Sequence, residues 1–365
     1  MARKFSFLLI LVAIAASFFF FRSPSFAPIV KEGEKLVEAV VPPPPLRPDL
    51  TWSASSTAPW RSRDAGATFV WPDAFGESRI WFLGGVDGEP SEANPPADGV
   101  KYWELPHFHD VWSFNGVTWR EESKAAAWPP RRSMSVADFQ GKLWMMGGWS
   151  PISGYRSDVW TSTDGATWSL ATSSAAWPPR EGQTIAVFNG KLWMMGGVDF
   201  DKRINYHDVW SSSDGLNWEL ATTSAAWSGR YDQAVEVFDG KLWLTGGVAL
   251  GGMGQSDVWS SADGTTWTLV TATAPWGKRH GLALLNWHDY LWIVSGWDTT
   301  LGQGSPEVWF SKDGLNWQET ESAPPWLGRE DHAALIYQDK LWMFAGMDTN
   351  WHWNRDVWSA EFKLN

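Results

Sequence analysis

A three-residue motif, Asp/Glu-Val-Trp, recurs six times along the chain of 365 residues. Successive copies begin 48 to 50 residues apart. Their tryptophans are Trp112, Trp160, Trp210, Trp259, Trp309 and Trp358. A period of this length, held over six units, is typical of repeat architectures, in which each unit is one supersecondary structure packed on its neighbours. This repeat constrains the fold more strongly than any other feature of the sequence.

Each unit contains four short segments with the composition of β-strands. In residues 180–219 we expect the first two strands on either side of Asn189-Gly190, a two-residue hairpin signal. The third strand contains Trp210, and Asp214-Gly215 turns the chain into the fourth. Four strands in roughly 50 residues, repeated without helices, are typical of a β-propeller blade. We therefore predict an all-β fold, a six-bladed β-propeller with four-stranded blades.

The two ends of the repeat region predict how the ring closes. The last unit stops after its third strand, at Asp356-Val357-Trp358-Ser359. The missing fourth strand has its counterpart at the other end, in Leu50-Thr51-Trp52-Ser53. We therefore expect this N-terminal strand to pair with the C-terminal blade, because closure removes the exposed sheet edges that promote aggregation. Residues 50–365 are predicted to form one domain.

The residues before the repeats have a different composition. Arg3 and Lys4 precede an uncharged run from Phe5 to Phe21, which predicts that residues 1–27 are a cleaved signal peptide or an uncleaved N-terminal membrane anchor. The stretch 28–49 contains four consecutive prolines and predicts a stiff, extended linker. Both interpretations export the propeller to the cell envelope, either membrane-anchored or secreted. We expect no membrane contact outside this N-terminal segment.

Composition and motifs exclude several classes of function. The net charge of −12 argues against nucleic acid as a partner, because phosphate binding requires a basic surface. The absence of cysteine excludes disulfides, thiolate metal sites and cysteine nucleophiles. The sequence also lacks the short motifs of zinc proteases, phosphate-binding loops and serine hydrolases. We expect no metal and no cofactor, and the sequence favours a binding protein over an enzyme; the oligomeric state stays open.

The repeated pattern resembles the Kelch family of propellers, in the galactose-oxidase-like superfamily. The resemblance covers all six units and consists of a hydrophobic strand, a Gly-Gly pair, a variable loop, an aromatic residue and a tryptophan. An arginine that opens the first strand also matches; it is Arg131, Arg180, Arg230, Arg279 or Arg329, and Arg63 fits the same position. Two units depart from the pattern, with Ser295-Gly296 and Ala345-Gly346 in place of Gly-Gly. The copper cofactor of galactose oxidase needs a cysteine and cannot form here.

The loops predict which face of the propeller carries a site. Turns within the hairpins are short, whereas the loops between the second and third strands are long and differ in every unit, and function commonly lies in such loops. Twenty-six of the 31 tryptophans occupy repeat positions. The other five lie in these long loops: Trp103, Trp149, Trp297, Trp351 and Trp353. The same face is expected to carry Tyr155, Tyr206 and the residues that follow the recurring arginine: Arg132, Glu181, Asp232, His280, Glu330, Asp331 and His332.

Three functions are compatible with this face. The first is a binding module for carbohydrate or protein, with the five loop tryptophans, Tyr155, Tyr206 and Arg132 as ligand contacts. Here Arg180, Arg230, Arg279 and Arg329 either brace the blades or anchor a carboxylate. The second, which the Kelch resemblance implies, is a sugar-acid (sialic-acid-type) mutarotase or epimerase. Its proton-transfer candidates are Glu181, Glu236, Asp331 and His332. The third is a structural assembly protein of the envelope.

Overall fold

The computed structural model describes residues 46–88 and 102–365, together with the short antiparallel pair of strands Lys31–Glu32 and Lys35–Leu36. The chain divides into two compact units, Met1–Leu46 and Arg47–Asn365. The predicted signal peptide or anchor at 1–27 lies outside the described residues, as does most of the predicted linker. Within the described part, no helix has the length and hydrophobicity needed to cross a membrane.

Residues 46–88 and 102–365 form six antiparallel sheets of four main strands, which we call blades 1 to 6. Blade 1 contains Ala67–Pro72, Ser78–Leu83, Val111–Phe114 and Trp119–Ser123. Blade 2 contains Ser135–Phe139, Lys142–Met146, Val159–Ser162 and Ser169–Thr172. Blade 3 contains Thr184–Phe188, Lys191–Met195, Val209–Ser212 and Glu219–Thr222. Blade 4 contains Tyr231–Phe238, Lys241–Ala249, Val258–Ser261 and Thr268–Thr271. Blade 5 contains Ala283–Trp287, Tyr290–Val294, Val308–Ser311 and Gln318–Glu319.

Blade 6 joins the two ends of the propeller. Its strands are Ala333–Tyr337, Lys340–Phe344 and Val357–Leu364, and the N-terminal strand Pro48–Ala54 pairs with the last of these. Leu50 stands opposite Phe362 in this pairing, which confirms the predicted closure. The strand begins at Pro48, ahead of the expected start at Leu50, because the buried Asp49 carboxylate accepts hydrogen bonds from the backbone and hydroxyl of Ser322.

Short two-residue strands connect the blades to the central axis. Four of these sets are pairs: Arg63–Asp64 with Val86–Asp87, Trp149–Ser150 with Gly154–Tyr155, Val198–Asp199 with Ile204–Asn205, and Arg329–Glu330 with Met347–Asp348. The fifth set has three strands, in which Trp297–Asp298 pairs with both Arg279–His280 and Gln303–Gly304. Met253–Gly254 extends blade 4 in the same way, and Tyr102–Glu104 forms a 3-10 helix.

A closed ring of six backbone hydrogen bonds surrounds the axis. It joins the second residue after each recurring arginine, and these residues are Ala65, Ser133, Gly182, Asp232, Gly281 and Asp331. The N–H of each donates to the carbonyl of its counterpart in the preceding blade, and the N–H of Ala65 donates to Asp331 across 3.1 Å. All six have left-handed φ angles between 50° and 64°. We call this set the backbone ring. The first strands of neighbouring blades contact each other all the way round, including blade 6 with blade 1. The predicted all-β propeller is therefore confirmed.

The recurring arginines brace the blades from inside. Arg63, Arg131, Arg180, Arg230, Arg279 and Arg329, here called the framework arginines, are at most 2% exposed. In blade 3, the guanidinium of Arg180 donates to both carboxylate oxygens of Asp208, across 2.6 and 2.9 Å, and to the carbonyl of Gly196. The indole N–H of Trp210 donates to the same carboxylate across 2.8 Å. This geometry explains the Asp-Val-Trp motif, because one aspartate receives both the arginine and the tryptophan two residues later.

The blades pack through tryptophan against glycine. The turn Ser212–Asp214–Gly215 is held by hydrogen bonds from Gly215 to the Ser212 hydroxyl and from Asn217 to the Asp214 carboxylate. Gly215 has a φ of 78°, and a Cβ there would lie 2.4 Å from the ring of Trp144 in the preceding blade. Blades 2, 4 and 5 repeat the contact with their own neighbours. The resulting core is a rigid frame for the loops.

Candidate functional site

The residue that follows each framework arginine lines one common cavity. These six residues are Asp64, Arg132, Glu181, Tyr231, His280 and Glu330, and we call them the mouth ring. The cavity has a volume of about 190 Å³ and is called the upper cavity. Ala65, Ser133, Asp232 and Asp331 of the backbone ring form its floor, and Phe200 stands at its edge. Every blade therefore contributes one side chain to a single site, and the six side chains are of five residue types.

Backbone pairing positions the mouth ring. Each of its residues pairs with the residue that follows the glycine turn of the same blade, as Glu181 does with Val198 and His280 with Trp297. Because those partners begin the long loops between second and third strands, the upper cavity opens among these loops. The site is thus built on short strands held by the core, which favours a preformed geometry.

Carboxyl groups dominate the charge of the upper cavity. Its lining includes five: Asp64, Glu181, Asp232, Glu330 and Asp331. The one arginine of the lining, Arg132, donates to both oxygens of Glu181 across 2.9 and 3.2 Å. The other four carboxyls share no comparable cation within the described lining.

Burial changes how these carboxyls titrate. It raises the pKa of Asp331 to about 6, against the opposing effect of Arg132. The pKa values of Asp64, Asp232 and Glu330 are also raised well above the usual range, first by burial and then by the charge of Asp331. Like charges in one poorly solvated cavity resist simultaneous ionisation. The cluster therefore holds protons near neutral pH.

Two mouth-ring residues have distinctive neighbours. Asp64 is 1% exposed; its Oδ2 accepts a hydrogen bond from the indole of Trp353 across 2.8 Å, and no group in the described part of the chain donates to its Oδ1. The Nδ1 of His280 lies 3.2 Å from a carboxyl oxygen of Glu330. Burial lowers the pKa of His280 to about 4, so its imidazole is neutral at pH 7.

An aromatic wall faces the carboxyls. The rings of Phe200 and Tyr231 meet edge to face with centroids 5.2 Å apart, and Phe200 is 40% exposed. Burial, followed by the charge of Asp232, raises the pKa of Tyr231, so its hydroxyl stays a donor. The backbone N–H of Phe200 donates to the hydroxyl of Tyr155 across 3.1 Å, which fixes the loop.

A lower cavity of about 240 Å³ lies on the other side of the backbone ring. It is lined by the third residue after each framework arginine, including Gln183, Gln233 and His332. The amides of Gln183 and Gln233 donate to the carbonyls of Met146 and Met195 and leave their own oxygens without partners. Burial, with the charge of Arg329, lowers the pKa of His332 to about 3. His332 therefore lines a different cavity from its neighbour Glu330.

The five loop tryptophans occupy different environments. Trp297 and Trp351 contact each other with centroids 5.4 Å apart, beside His280, and Trp351 is 41% exposed. The guanidinium of Arg132 lies over the indole of Trp149, 5.1 Å from the centroid of that indole ring. Trp103 is 58% exposed, and Trp353 is buried. Among the five loop tryptophans, the pair Trp297–Trp351 thus combines an exposed indole with a position next to a residue of the cavity lining.

Trp351 has an unusual backbone. Its φ angle of 62° lies in the left-handed region, where a bulky side chain costs about 1–2 kcal/mol. Its N–H donates to the carbonyl of Asp348, whose carboxylate accepts from the N–H groups of Asn350 and His352. The loop therefore holds a strained residue so that an indole stands in solvent, which is a frequent property of binding sites.

Other predicted site residues lie away from the upper cavity. Arg180, Arg230, Arg279 and Arg329 are buried in framework ion pairs, and this location favours the bracing role over a ligand-facing one. The buried ring of Tyr206 packs 3.7 Å from the Arg180 guanidinium. Glu236 lies further along the first strand of blade 4, outside both cavity linings; burial raises its pKa to about 7, and its Oε1 accepts from the N–H of Val237.

Sequence reasoning missed Asp64, Tyr231 and Phe200. The first two occupy the same repeat position as Arg132 and Glu181, so aligning the units on the framework arginines would have found them. Phe200 has no such signal, because it belongs to a loop whose sequence differs from blade to blade. Within the described residues, no group of three or more His, Asp and Glu side chains has an arrangement that could hold a metal ion.

This closed ring of blades around an axial cavity defines a β-propeller. The solved structure titled "Structure of YjhT" has the same fold, with a TM-score of 0.63 over 85% of this chain and 99% of that one. The two sequences are 15% identical, so the likeness concerns the fold alone. No protein-family model matches the sequence, and no curated protein matches it either.

Proposed function

We propose that this protein is a Kelch-type, exported propeller that binds carbohydrate at the mouth of its channel. The observation that carries the proposal is the convergence of five carboxyls, Tyr231 and Phe200 on one cavity beside the Trp297–Trp351 pair. Sugars present two kinds of surface, hydroxyl groups that donate to carboxylates and apolar ring faces that stack on indoles. The mouth offers a partner for each of them.

The size of the cavity limits what enters it. Its volume of about 190 Å³ lies below the roughly 300–1,000 Å³ of pockets that enclose drug-sized ligands. One monosaccharide unit is the appropriate occupant, and the rest of a chain would pass over Trp297 and Trp351. An oligosaccharide end is therefore favoured over an internal segment.

A glycan array, followed by calorimetry on the best ligand, tests this proposal. We expect the double variant Trp297→Ala plus Trp351→Ala to bind at least tenfold more weakly, because both stacking surfaces are lost. Phe75→Ala is the matched control, since Phe75 is 83% exposed and lies in a turn between the first two strands of blade 1. Equal affinity of the double variant and the wild type would contradict the proposal. Absence of any glycan binding would favour the third hypothesis, a structural protein of the envelope.

One observation also favours a mutarotase. Asp331, with a pKa raised by burial to about 6, is suited to proton transfer at neutral pH, and the His280–Glu330 pair could assist it. The lining makes a sugar acid a poor substrate, because Arg132 is its one arginine and already pairs with Glu181. A neutral sugar fits better. NMR exchange rates between anomers should then rise with wild-type protein and fall to the uncatalysed value with Asp331→Asn.

A further inference from the structure

The balance of charge in the upper cavity is incomplete without a ligand. Its lining carries the carboxyls Asp64, Glu181, Asp232, Glu330 and Asp331, and the arginine Arg132. His280 and Tyr231 complete the titratable groups of the lining, and both are neutral at pH 7. Arg132 pairs with Glu181 and also acts on Asp64, Asp232 and Asp331, so within the described lining a single positive charge opposes five carboxyls around one small volume. Protonation can neutralise these carboxyls in place of a cation, but it costs free energy at neutral pH.

A second observation shows what the cavity lacks. Asp64 is 1% exposed, and while one oxygen accepts from Trp353, Oδ1 has no hydrogen-bond partner among the described residues. A carboxylate oxygen buried without a donor costs about 1–3 kcal/mol or more. The carboxyls of Asp232, Glu330 and Asp331 contribute further acceptors around the same cavity. Arg132 is the one positively charged donor of the described lining, and the site lacks a second one to balance the remaining carboxyls.

An ammonium group meets both requirements. It carries one positive charge and three N–H donors, so it can reach several carboxylates at once. The aromatic rings of Tyr231 and Phe200 in the same lining suit the rest of the ligand, and they add a cation–π attraction. A metal ion is less suitable, because none of the described acidic clusters has the arrangement of a metal site.

We propose that the saccharide bound at the mouth is an amino sugar, whose free ammonium group lies among Asp64, Asp232, Glu330 and Asp331. This inference rests on the carbohydrate-binding function proposed above and names its ligand class. It implies a preference of the site for de-N-acetylated sugars over their N-acetylated and hydroxyl counterparts.

Calorimetry with three matched trisaccharides tests the inference: the glucosamine, N-acetylglucosamine and glucose forms, each at pH 6.5. We expect the glucosamine form to bind at least tenfold more tightly than the other two. Because an ammonium favours ionised carboxyls, its binding should release protons, which two buffers of different ionisation enthalpy reveal. The neutral sugars should release none. The affinity for the amine should fall as the pH decreases below 6.

A substitution assigns the preference to its residues. Asp64→Asn should remove most of the preference for glucosamine, and Asp331→Asn should remove most of the proton release. Asp239→Asn is the control, since Asp239 is exposed in a hairpin turn and has a left-handed φ that asparagine tolerates. Should Asp64→Asn fold poorly, Asp331→Asn and the wild-type pH profile still decide the question.

The outcomes separate this inference from the function on which it rests. Equal binding of all three trisaccharides, without proton release, overturns the amino-sugar inference and leaves the carbohydrate function standing. Binding of 1,5-diaminopentane as tight as that of the glucosamine form supports the ammonium site and contradicts the carbohydrate function. Absence of binding by every probe overturns both.

Discussion

The framework of the blades and the floor of the upper cavity treat buried carboxyls in opposite ways. In the framework, the buried Asp158 carboxylate accepts hydrogen bonds from two guanidinium N–H groups of Arg131 at 2.8 Å. Burial alone would raise its pKa, but the hydrogen bonds from Arg131 and Trp160 hold the pKa of Asp158 below its usual value. At the mouth, burial raises the pKa of Asp331 to about 6. A buried aspartate therefore stabilises the fold in the framework and destabilises it in the upper cavity.

The difference separates structure from function within one sequence motif. The framework position is arginine in all six blades, and its guanidinium pairs with a carboxylate of its own blade. The next position has five residue types in six blades, and all six side chains meet in one cavity. A position with the same residue type in all six blades belongs to the scaffold, whereas the neighbouring position, where the residue type differs between blades, belongs to the site. Unpaired buried charge is tolerated where a ligand can supply the missing partner.

The framework should be the most sensitive to mutation. Arg131→Met removes two hydrogen bonds from the buried Asp158 carboxylate and leaves the partly exposed Arg156 as its charged partner, which should cost about 3 kcal/mol of unfolding free energy. Urea denaturation measures the change. Lys124→Met, at an exposed position, is the control and should lie within about 0.5 kcal/mol of the wild type. Similar losses for the two variants would show that the buried ion pair does not brace the blade.

The mouth should respond in the opposite direction, and only at higher pH. Since the folded-state pKa of Asp331 lies above the ordinary value of 3.8, its protonated form stabilises the fold below pH 4, and this contribution disappears as the pH rises through about 6. Asp331→Asn keeps the left-handed backbone and removes the charge. We expect it to gain about 1–2 kcal/mol at pH 8 and nothing at pH 4. Urea titrations at both pH values check this; a loss of stability at pH 8 would show that Asp331 is paired in solution.

Trp351, like Asp331, should lower the stability of the fold while it serves ligand binding. Trp351→Gly relieves a left-handed φ of 62° and should raise the unfolding free energy by about 1 kcal/mol, despite the lost contact with Trp297. Thermal unfolding measures the gain, and the glycan affinity of the same variant should fall. Trp103→Gly, also an exposed tryptophan, is the comparison and should not gain stability. A less stable Trp351→Gly would indicate that the indole is needed for packing.

The fold was accessible from sequence because its signals are local and repeated six times. Hairpin turns such as Asn189-Gly190, with φ values of 49° and 71°, and the Asp-Val-Trp motif each specify a geometry without reference to the rest of the chain. Ring closure followed from counting strands at the two termini. These features depend on the identity of residues that recur.

The site was only partly accessible, because convergence across blades is a three-dimensional property. Glu181 and Asp331 were predicted as site residues, yet nothing in the sequence places them beside Asp64, which lies far away in the chain. The recurrence of the framework arginines favoured bracing but left binding open, since a repeat position does not show which way a side chain points. The burial of their guanidinium groups in the structure favours bracing over binding.

Blade 5 provides the finest test of the framework, because it has glutamate where five blades have aspartate. Glu307 accepts one hydrogen bond from Arg279 at 3.3 Å, and the indole N–H of Trp309 is left without a partner. Glu307→Asp should restore the geometry of the other blades and add about 0.5–1 kcal/mol to the unfolding free energy. Asp257→Glu in blade 4 should lose a similar amount. The gain should vanish when Trp309 is phenylalanine, and its persistence there would locate the effect in the arginine alone.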